Sequence, residues 1–251
     1  MNTLDANVFT SFVCPYLTGT IIDDILLVNK HYNKVVKADM KHLYNLYWKI
    51  DKGVGSDGGR YVYIFKDGKK EGEQLKWFDW YEDGQLYSKE FYKDGKKEEE
   101  RLEWYENGQL FSKEFYKDGK KEGEQLEWYE DRQVGAMDHG QLSSKAFYKD
   151  GKKEGEQLTW YEDAQLSSKR FYKEGEREGE QLHCSEDGQL SSKYFYKEGQ
   201  DEGEQLRWFE DGQLEFKEFY KDGEWEGEQL YWDKNSQLYS KYFYKEGKQL
   251  L

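Results

Sequence analysis

One short block of sequence recurs through most of the chain at a nearly constant spacing. The block reads Phe-Tyr-Lys, then Asp or Glu, then Gly, and a degenerate first copy begins at Ile64. Its complete copies begin at Phe91, Phe115, Phe147, Phe171, Phe195, Phe219 and Phe243. The steps between successive copies are 27, 24, 32, 24, 24, 24 and 24 residues, so the period is 24. A period of this size predicts a repeat protein whose units are stabilised by packing on their neighbours.

The two longer steps mark insertions at the same turn of the unit. Three extra residues fall near 77–80 and eight near 132–140. Loops on a rigid scaffold often determine recognition, so we expect Arg132, Met137 and His139 to contribute to partner binding. The alternative is neutral variation, because a longer surface loop costs little free energy.

Each unit is predicted to form two antiparallel strands. Residues 125–128 alternate polar and apolar side chains, and 109–116 form a second strand-like run. Pairs such as Asn107-Gly108 between the two runs favour a two-residue type I′ turn, whereas the other connection, Lys-Asp-Gly-Lys-Lys-Glu-Gly, is longer. About eight units predict a mainly β fold, an elongated single-layer antiparallel array of β-hairpins. At about 4.8 Å per strand the array would be about 70 Å long.

The Leu and Trp side chains of a unit recur two residues apart, as Leu102 and Trp104 do, so they share one face of the sheet. The residue between them varies, which predicts that the opposite face is solvated. Leu110 and Phe115 are five residues apart, so either both faces have aromatic rows or a β-bulge shifts the alternation. We expect the recurring aromatic side chains to anchor a protein partner. The candidate anchors are Trp104, Trp128, Tyr129, Trp160, Tyr161 and Trp208.

Residues 1–55 differ in kind from the rest of the chain. They lack the repeated block, contain few glycines, and place apolar residues at helical spacing. We therefore predict two regions, a small α-helical N-terminal cap over 1–55 and the hairpin repeats over 56–251.

The charge of the chain limits its partners. With 52 acidic and 38 basic residues the net charge is −14, and the isoelectric point is about 4.9. Nucleic-acid backbones and anionic lipids are both held mainly by Lys and Arg, so this balance argues against nucleic acid and disfavours a membrane. No apolar run reaches membrane-spanning length, no secretory signal is present, and Cys14 and Cys184 lie far apart. These features predict a soluble cytoplasmic protein, or one of the host cytoplasm or virion if the source is a virus.

No motif predicts catalysis or a cofactor. Carboxylate pairs such as Glu122 with Glu124 occur in a turn that recurs in every unit, whereas general acid–base catalysis needs one specially placed carboxyl group. His183 and Cys184 are only two of the four ligands that zinc usually takes, and no phosphate-binding glycine loop is present. We therefore predict a protein that is not an enzyme and that holds neither cofactor nor metal.

The repeated pieces Tyr-Glu-(Asp/Asn)-Gly-Gln-Leu and Tyr-Lys-Asp-Gly-Lys-Lys-Glu-Gly-Glu resemble MORN repeats. They are most similar to the variant found in YwqK-like bacterial antitoxins and in many proteins of large DNA viruses. The resemblance covers about residues 60–248. It implies an elongated β-hairpin array used for protein binding, for scaffolding or, in some members, for membrane association.

The N-terminal stretch 24–35, with Ile25, Leu26 and Tyr32, followed by 43–49, resembles an F-box. The resemblance implies docking of these helices to a Skp-type adaptor of a ubiquitin ligase. The alternative is a helical cap that shields the first strand edge and needs no partner.

Together these patterns favour a non-enzymatic scaffold for protein–protein interaction, which the F-box resemblance would make a substrate receptor of a ubiquitin ligase. Two alternatives stay open: a structural tether or virion assembly component, and a toxin-neutralising protein of the antitoxin kind. The final strand would leave an open edge guarded by Lys241 and Lys245, so an edge-to-edge homodimer is also open.

Overall fold

The described part of the chain forms one open antiparallel sheet of 23 strands. The computed structural model describes residues 48–54, 59–78, 85–130 and 140–250, and no helix occurs among them. The predicted mainly β hairpin array is confirmed. The predicted helical cap lies almost wholly outside the described residues, and Ile25, Leu26 and Tyr32 are among those not described. Arg132, Met137 and His139, in the second insertion, also lie outside the described residues.

The strands follow the repeat closely. The first twelve are β1 Trp48–Val54, β2 Arg60–Lys66, β3 Lys69–Lys70, β4 Gly72–Trp77, β5 Leu86–Lys93, β6 Lys96–Trp104, β7 Leu110–Lys117, β8 Lys120–Lys121, β9 Gly123–Trp128, β10 Leu142–Lys149, β11 Lys152–Lys153 and β12 Gly155–Trp160. The others are β13 Leu166–Lys173, β14 Glu176–Arg177, β15 Gly179–Cys184, β16 Leu190–Lys197, β17 Gln200–Asp201, β18 Gly203–Trp208, β19 Leu214–Lys221, β20 Glu224–Trp225, β21 Gly227–Trp232, β22 Leu238–Lys245 and β23 Lys248–Leu250.

The sheet begins earlier than the sequence predicts. Strand β1 lies inside the segment 1–55 that the spacing of apolar residues assigns to helix, and it pairs with β2 along its whole length. Residues 48–54 are therefore strand, and the prediction of helix is wrong for them. Apolar residues at helical spacing in so short a stretch do not exclude a strand that has a partner to pair with.

The pairing is a meander in chain order. Each two-residue strand continues into the longer strand that follows it. One residue lies between the two, and it interrupts the ladder of backbone hydrogen bonds to the neighbouring strand. Strands β8 and β9, for example, both pair with β7, through Tyr116 opposite Lys121 and Ser112 opposite Glu127, and Glu122 lies at the break. Only β6 runs through this point without interruption.

The two kinds of turn are the reverse of the prediction. Asp94 and Gly95 both have positive φ, 51° and 81°, and form the two-residue hairpin turn between β5 and β6. At Asn107-Gly108 only Gly108 has positive φ, and its N–H donates to the Tyr105 carbonyl at 3.0 Å. That geometry is a type I turn followed by a left-handed residue, the usual three-residue hairpin loop. The Asn107 carboxamide stabilises it by accepting from the N–H of Gln109 at 2.9 Å.

A β-bulge in the second strand of each unit explains how Leu110 and Phe115, five residues apart, lie on the same face of the sheet. Glu103 lies opposite Ser112, but the next residue, Trp104, lies opposite Leu110, so Phe111 is an extra residue. The same register shift occurs in all seven units for which this pairing is described. Of the two alternatives, the bulge is confirmed. It places Leu110 beside Trp104 and restores the alternation before the Phe-Tyr-Lys block.

The buried side chains of the sheet are mostly polar. Only Leu75, Trp128 and Tyr172 are buried among the described hydrophobic residues, whereas a glutamine is buried in nearly every unit. Gln205 Nε2 donates to the Phe195 carbonyl at 2.8 Å, and its Oε1 accepts from the N–H of that residue at 2.9 Å. The glutamine amide thus provides the hydrogen bonds that the strand opposite Phe195 does not make at the break in the ladder. The buried glutamines are Gln74, Gln125, Gln157, Gln181, Gln205 and Gln229.

Successive units are also joined by carboxylates. Glu122 Oε2 accepts from the N–H of Asp150, the first residue of the next two-residue turn, at 2.7 Å, and the N–H of Gly151 donates to the Lys121 carbonyl at 2.9 Å. We call this contact the glutamate staple. It joins Glu71 to Asp94, Glu98 to Asp118, Glu122 to Asp150, Glu154 to Glu174, Glu178 to Glu198, Glu202 to Asp222 and Glu226 to Glu246.

Candidate functional site

One face of the sheet presents nearly the same residues in every unit, and we call it the constant face. It holds the Leu, Trp, Phe, Lys and second Glu of each repeat, because Lys145 lies opposite Leu126 and Phe147 opposite Glu124. Lysine and glutamate form one ion pair in each unit across this face. The pairs are Glu73 with Lys89, Glu100 with Lys113, Glu124 with Lys145, Glu156 with Lys169, Glu180 with Lys193, Glu204 with Lys217 and Glu228 with Lys241.

The constant face is open to solvent. The phenylalanine side chains are about two-fifths exposed, for example 46% at Phe147 and 41% at Phe195. The ion pairs are similarly exposed, with 47% of the Lys169 side chain and 43% of the Glu156 side chain accessible. Exposed pairs of this kind contribute little to stability.

The opposite face, the variable face, holds the buried glutamines, a row of mostly serines, the tyrosine of Phe-Tyr-Lys and several positions that change from unit to unit, two of which lie in the long strands. The first position, between Leu and Trp, is Lys76, Glu103, Glu127, Thr159, His183, Arg207 and Tyr231. The second position, before Phe-Tyr-Lys, is Glu90, Glu114, Ala146, Arg170, Tyr194, Glu218 and Tyr242. A nearly uniform backbone therefore presents acidic, basic, aromatic and small side chains at equivalent points along this face.

The prediction that this face is solvated holds for residues such as Glu127 and Arg207, which are exposed, but is wrong for others. Glu103 and Glu114 are each only 8% exposed, and most of the serines are buried. The tyrosines and the cations of neighbouring strands lie against one another and cover part of the face. The cation lies 5.2 Å from the ring centroid for Lys97 and Tyr116, 4.9 Å for Lys153 and Tyr172, and 5.0 Å for Arg177 and Tyr196.

Arg101 stands where the other units have glutamine, and it gathers the carboxylates of three strands. Its Nε donates to Glu90 at 2.7 Å, its Nη1 donates to Glu114 at 2.8 Å, and its Nη2 pairs with Glu103. Burial alone would raise the pKa of the Glu90 carboxyl, but the hydrogen bond from Arg101, followed by the contributions of Tyr92 and Lys97, holds that pKa below its ordinary value.

Glu114 has a matching set of partners. Tyr116 donates its hydroxyl to Glu114 at 3.0 Å, and Lys121 lies 2.6 Å from the same carboxylate. Burial again acts to raise the pKa of Glu114, and the hydrogen bonds and charge of Lys121, with Tyr116 and Arg101, lower it overall. The variable face therefore binds its own carboxylates with a tyrosine hydroxyl, a lysine and an arginine.

A cavity of about 140 Å³ opens on the variable face around Ala146, the smallest side chain at the second variable position. Its lining includes Lys153, Arg170 and Tyr172 on the side of the later strands. On the side of the earlier strands it includes Glu114, whose charge is already paired with Arg101. The lining also includes Lys121 and a second carboxylate, Glu127. The cavity thus has both cations and carboxylates around the short side chain of Ala146.

The aromatic residues predicted as partner anchors are placed mainly for packing. Strand alternation puts the four tryptophans on the constant side beside the bulges, where Trp128 is 7% exposed and the others are half-buried. The Tyr129 and Tyr161 hydroxyls donate to the carbonyls of Trp160 and Cys184 in the next unit, both at 2.8 Å. Their role in partner binding stays a prediction.

The acidic residues considered for catalysis have structural partners. Glu122 belongs to a glutamate staple and Glu124 to an ion pair with Lys145. Over the described ranges, no three His, Cys, Asp or Glu side chains are close enough to hold a metal ion, and no helix could cross a membrane.

Sequence reasoning missed the residues of the cavity. The signal that could have found them is the alignment of the units with one another, which shows that these two positions are among those that change most from unit to unit. Whether those positions share a face with the tyrosine and lysine rows depends on the bulge, and this could not be decided from the residues alone.

Four segments of the sheet, residues 73–94, 95–118, 201–222 and 225–246, match a protein-family model described as a MORN repeat variant. No significant match was found among curated proteins. The matched segments cover the first two and the last two full units, and the intervening units have the same strand order, turns and bulges. The matched part of the hairpin array is therefore similar to MORN repeats of the variant type.

Proposed function

We propose that the array is a protein-binding scaffold that recognises its partner through the variable face. MORN repeats generally bind proteins or membranes, and a net charge of −14 favours a protein over an anionic membrane. The support for the choice of face is that the position between Leu and Trp and the position before Phe-Tyr-Lys, both of which change widely from unit to unit, lie on it. Chemically distinct groups such as Tyr194, His183 and Arg170 lie on this face within a backbone that does not change.

The shape of the variable face also suits recognition. Its side chains are half-buried between neighbouring tyrosines and cations, so a partner would meet groups that are already ordered, and binding would cost less entropy than on a flexible surface. The constant face offers the same phenylalanine and ion pair seven times, which distinguishes no partner from another.

Adjacent residues with opposite orientation provide the test. Tyr194→Ser with Tyr231→Ser alters the variable face, whereas Phe171→Ser with Phe195→Ser alters the constant face in the same part of the array. The full-length chain and both variants would be used for affinity capture with quantitative mass spectrometry, after circular dichroism has shown equal strand content. We expect a partner that the tyrosine variant loses and the phenylalanine variant retains. A partner lost only by the phenylalanine variant would contradict the proposal.

For the N-terminal region we propose the finer role of substrate receptor in a ubiquitin ligase, which rests on the F-box resemblance of 24–35 and 43–49. A Skp-type adaptor should then co-purify with the full chain and be lost after Ile25→Ala, Leu26→Ala and Tyr32→Ala, while the partner of the array is retained. A chain that never enriches such an adaptor contradicts this role.

The tether and the toxin-neutralising role make different predictions. A tether or virion component should be present in purified particles in fixed stoichiometry, and an antitoxin should restore growth to cells that express its toxin. An edge-to-edge dimer would use β23, which pairs only with β22 among the described strands, and sedimentation velocity would detect it.

A further inference from the structure

The middle of the variable face contains cations that lack the carboxylate found in the preceding units. Seven residues after Glu90 comes Lys97, and seven after Glu114 comes Lys121; in both cases the lysine pairs with the glutamate. The next copy of this spacing is Ala146 with Lys153. The lysine is kept, but the glutamate is replaced by a side chain with no charge.

The other groups that hold a carboxylate are still present. Tyr92 and Tyr116 donate their hydroxyls to Glu90 and Glu114 at 2.9 and 3.0 Å. The copy of this tyrosine in the third unit, Tyr148, lines the same cavity as Lys153. A tyrosine hydroxyl and an ammonium group are therefore placed around the cavity as they are around the two internal carboxylates.

Arg170 supplies the guanidinium group. It lies on β13, opposite Gln157 of β12, and is two strands, about 10 Å, from Ala146 across the cavity that both residues line. Within the described ranges neither Arg170 nor Lys153 forms an ion pair, whereas Lys97, Arg101 and Lys121 all do. Glu127 also lines the cavity, but it is exposed and forms no ion pair with either of them in the described part of the chain. Half-buried cations that no carboxylate pairs with attract an anion, because water screens them less than it screens fully exposed ones.

We propose that this pocket binds the carboxylate of an Asp or Glu side chain from an extended acidic segment of a partner protein, in the place that Glu90 and Glu114 occupy in their own units. The proposal rests on the proposed role of the variable face in protein binding. A cavity of about 140 Å³ suits a single acidic side chain.

The decisive variant is Ala146→Glu, which restores the pattern of the first two units and fills the pocket with a carboxylate of the chain itself. The probe is a fluorescently labelled deca-glutamate peptide, with binding to the full-length chain measured by fluorescence anisotropy at low ionic strength. We expect the peptide to bind the wild type, and Ala146→Glu, Lys153→Gln and Arg170→Gln each to weaken binding by about tenfold or more. The matched control Lys193→Gln, on the constant face, should leave binding unchanged.

Two further readouts show that a loss of binding is specific. Ala146→Glu should raise the unfolding temperature, because the new carboxylate gains Tyr148 and Lys153 as Glu114 has Tyr116 and Lys121, so a loss of binding cannot be ascribed to misfolding. Burial and the charges of Arg170 and Arg177 lower the pKa of the His183 imidazole. A carboxylate bound at Arg170 should therefore raise the pKa of His183 in an NMR titration of the complex.

The inference is overturned if the wild type does not bind deca-glutamate, if Ala146→Glu binds it as well as the wild type does, or if Lys193→Gln weakens binding as much as Lys153→Gln. A captured partner that the tyrosine variant loses but that Ala146→Glu and Arg170→Gln retain would overturn the carboxylate pocket and leave the scaffold proposal intact. If the peptide binds the pocket but no captured partner depends on the variable face, the carboxylate pocket is supported and the scaffold proposal is contradicted.

Discussion

The constant face and the variable face alternate residue by residue along the same strands, yet the face with the recurring Leu and Phe side chains is the more exposed one. Ser168 is 4% exposed, whereas the adjacent Lys169 side chain is 47% exposed. In a globular protein the recurring apolar residues would mark the buried side. Here no second layer covers either face in the described part of the chain, so burial follows local hydrogen bonding.

The difference between the faces originates in the backbone. The break after each two-residue strand leaves amide groups out of register, and the glutamine that satisfies them must lie close to the sheet. The constant face has no such requirement, and its lysines and glutamates pair across an open surface. We therefore expect substitutions on the variable face to cost stability and matched substitutions on the constant face to cost very little.

The largest effect should come from Arg101→Gln, which installs the residue of the other units but leaves three half-buried glutamates without a guanidinium. Glu90 and Glu114 keep Lys97 and Lys121, but the buried Glu103 loses the guanidinium that it pairs with, and removal of one partner from a buried charge cluster costs about 3 kcal/mol of unfolding free energy. Urea unfolding followed by tryptophan fluorescence measures this loss. The matched control is Arg207→Gln, because the Arg207 side chain is 55% exposed and pairs with a single carboxylate, Glu215.

The cost of Arg101→Gln should depend on pH in a defined direction. Glu90 and Glu114 have lowered pKa values in the folded protein, so their stabilisation is present above the ordinary pKa of 4.5 and is lost as the pH falls through the folded values. The difference between wild type and variant should therefore be greatest near neutral pH and shrink below pH 4.5. A difference that grows on acidification would contradict the arginine cluster.

Next in size is Gln205→Leu, which keeps the side-chain volume but removes the amide that bonds to both backbone groups of Phe195. Leaving a buried N–H and carbonyl without partners costs about 2 kcal/mol. Gln200→Leu, at an exposed position in the same unit, is the control and should change the unfolding free energy by less than about 0.5 kcal/mol. Equal effects at the two positions would mean that the buried glutamine row is not what stabilises the variable face.

A smaller and opposite effect is expected for Glu99→Gly, which alters the backbone and neither face. Glu99 is exposed and has φ of 60°, where the other units have a left-handed glycine such as Gly123 with φ of 72°. Relief of the left-handed strain should stabilise the protein by about 1 kcal/mol. The reciprocal change, Gly123→Glu, should destabilise it by a similar amount, because no neighbouring atom lies within 4 Å of the added Cβ.

The smallest effect should come from Lys169→Met on the constant face. It removes the ion pair with Glu156, whose partners are 47% and 43% exposed, and should change the unfolding free energy by less than about 0.5 kcal/mol. A loss above about 1 kcal/mol would show that the ladder of ion pairs stabilises the sheet, and the contrast between the faces would not hold.

The period, the strands and the antiparallel pairing could be predicted because short-range signals determine them. The block beginning at Phe91 ends in Asp94-Gly95, whose positive φ angles close a hairpin without help from distant residues. The assignment of turn types could not be predicted, because Asn107-Gly108 contains an equivalent pair. The two turns differ in the number of residues between the last paired residues of their flanking strands. That number depends on the register of the assembled sheet.

The polar interior and the cavity were beyond sequence reasoning for a related reason. Gln205 is an ordinary surface residue until the break at Glu202 is known, and only the break explains why the glutamine is buried. Ala146 and Arg170 are 24 residues apart and occupy the same position of successive units, but their proximity to Lys153 follows from the bulge and the register.

The glutamate staple has a direction along the chain. Its acceptor always belongs to the earlier unit and its donor to the later one, with 20 to 28 residues between them. When the chain is synthesised from its N-terminus, each emerging turn meets an acceptor that already exists. Every closing step therefore spans about the same short loop however many hairpins precede it, so lengthening the array adds steps without making any single step slower.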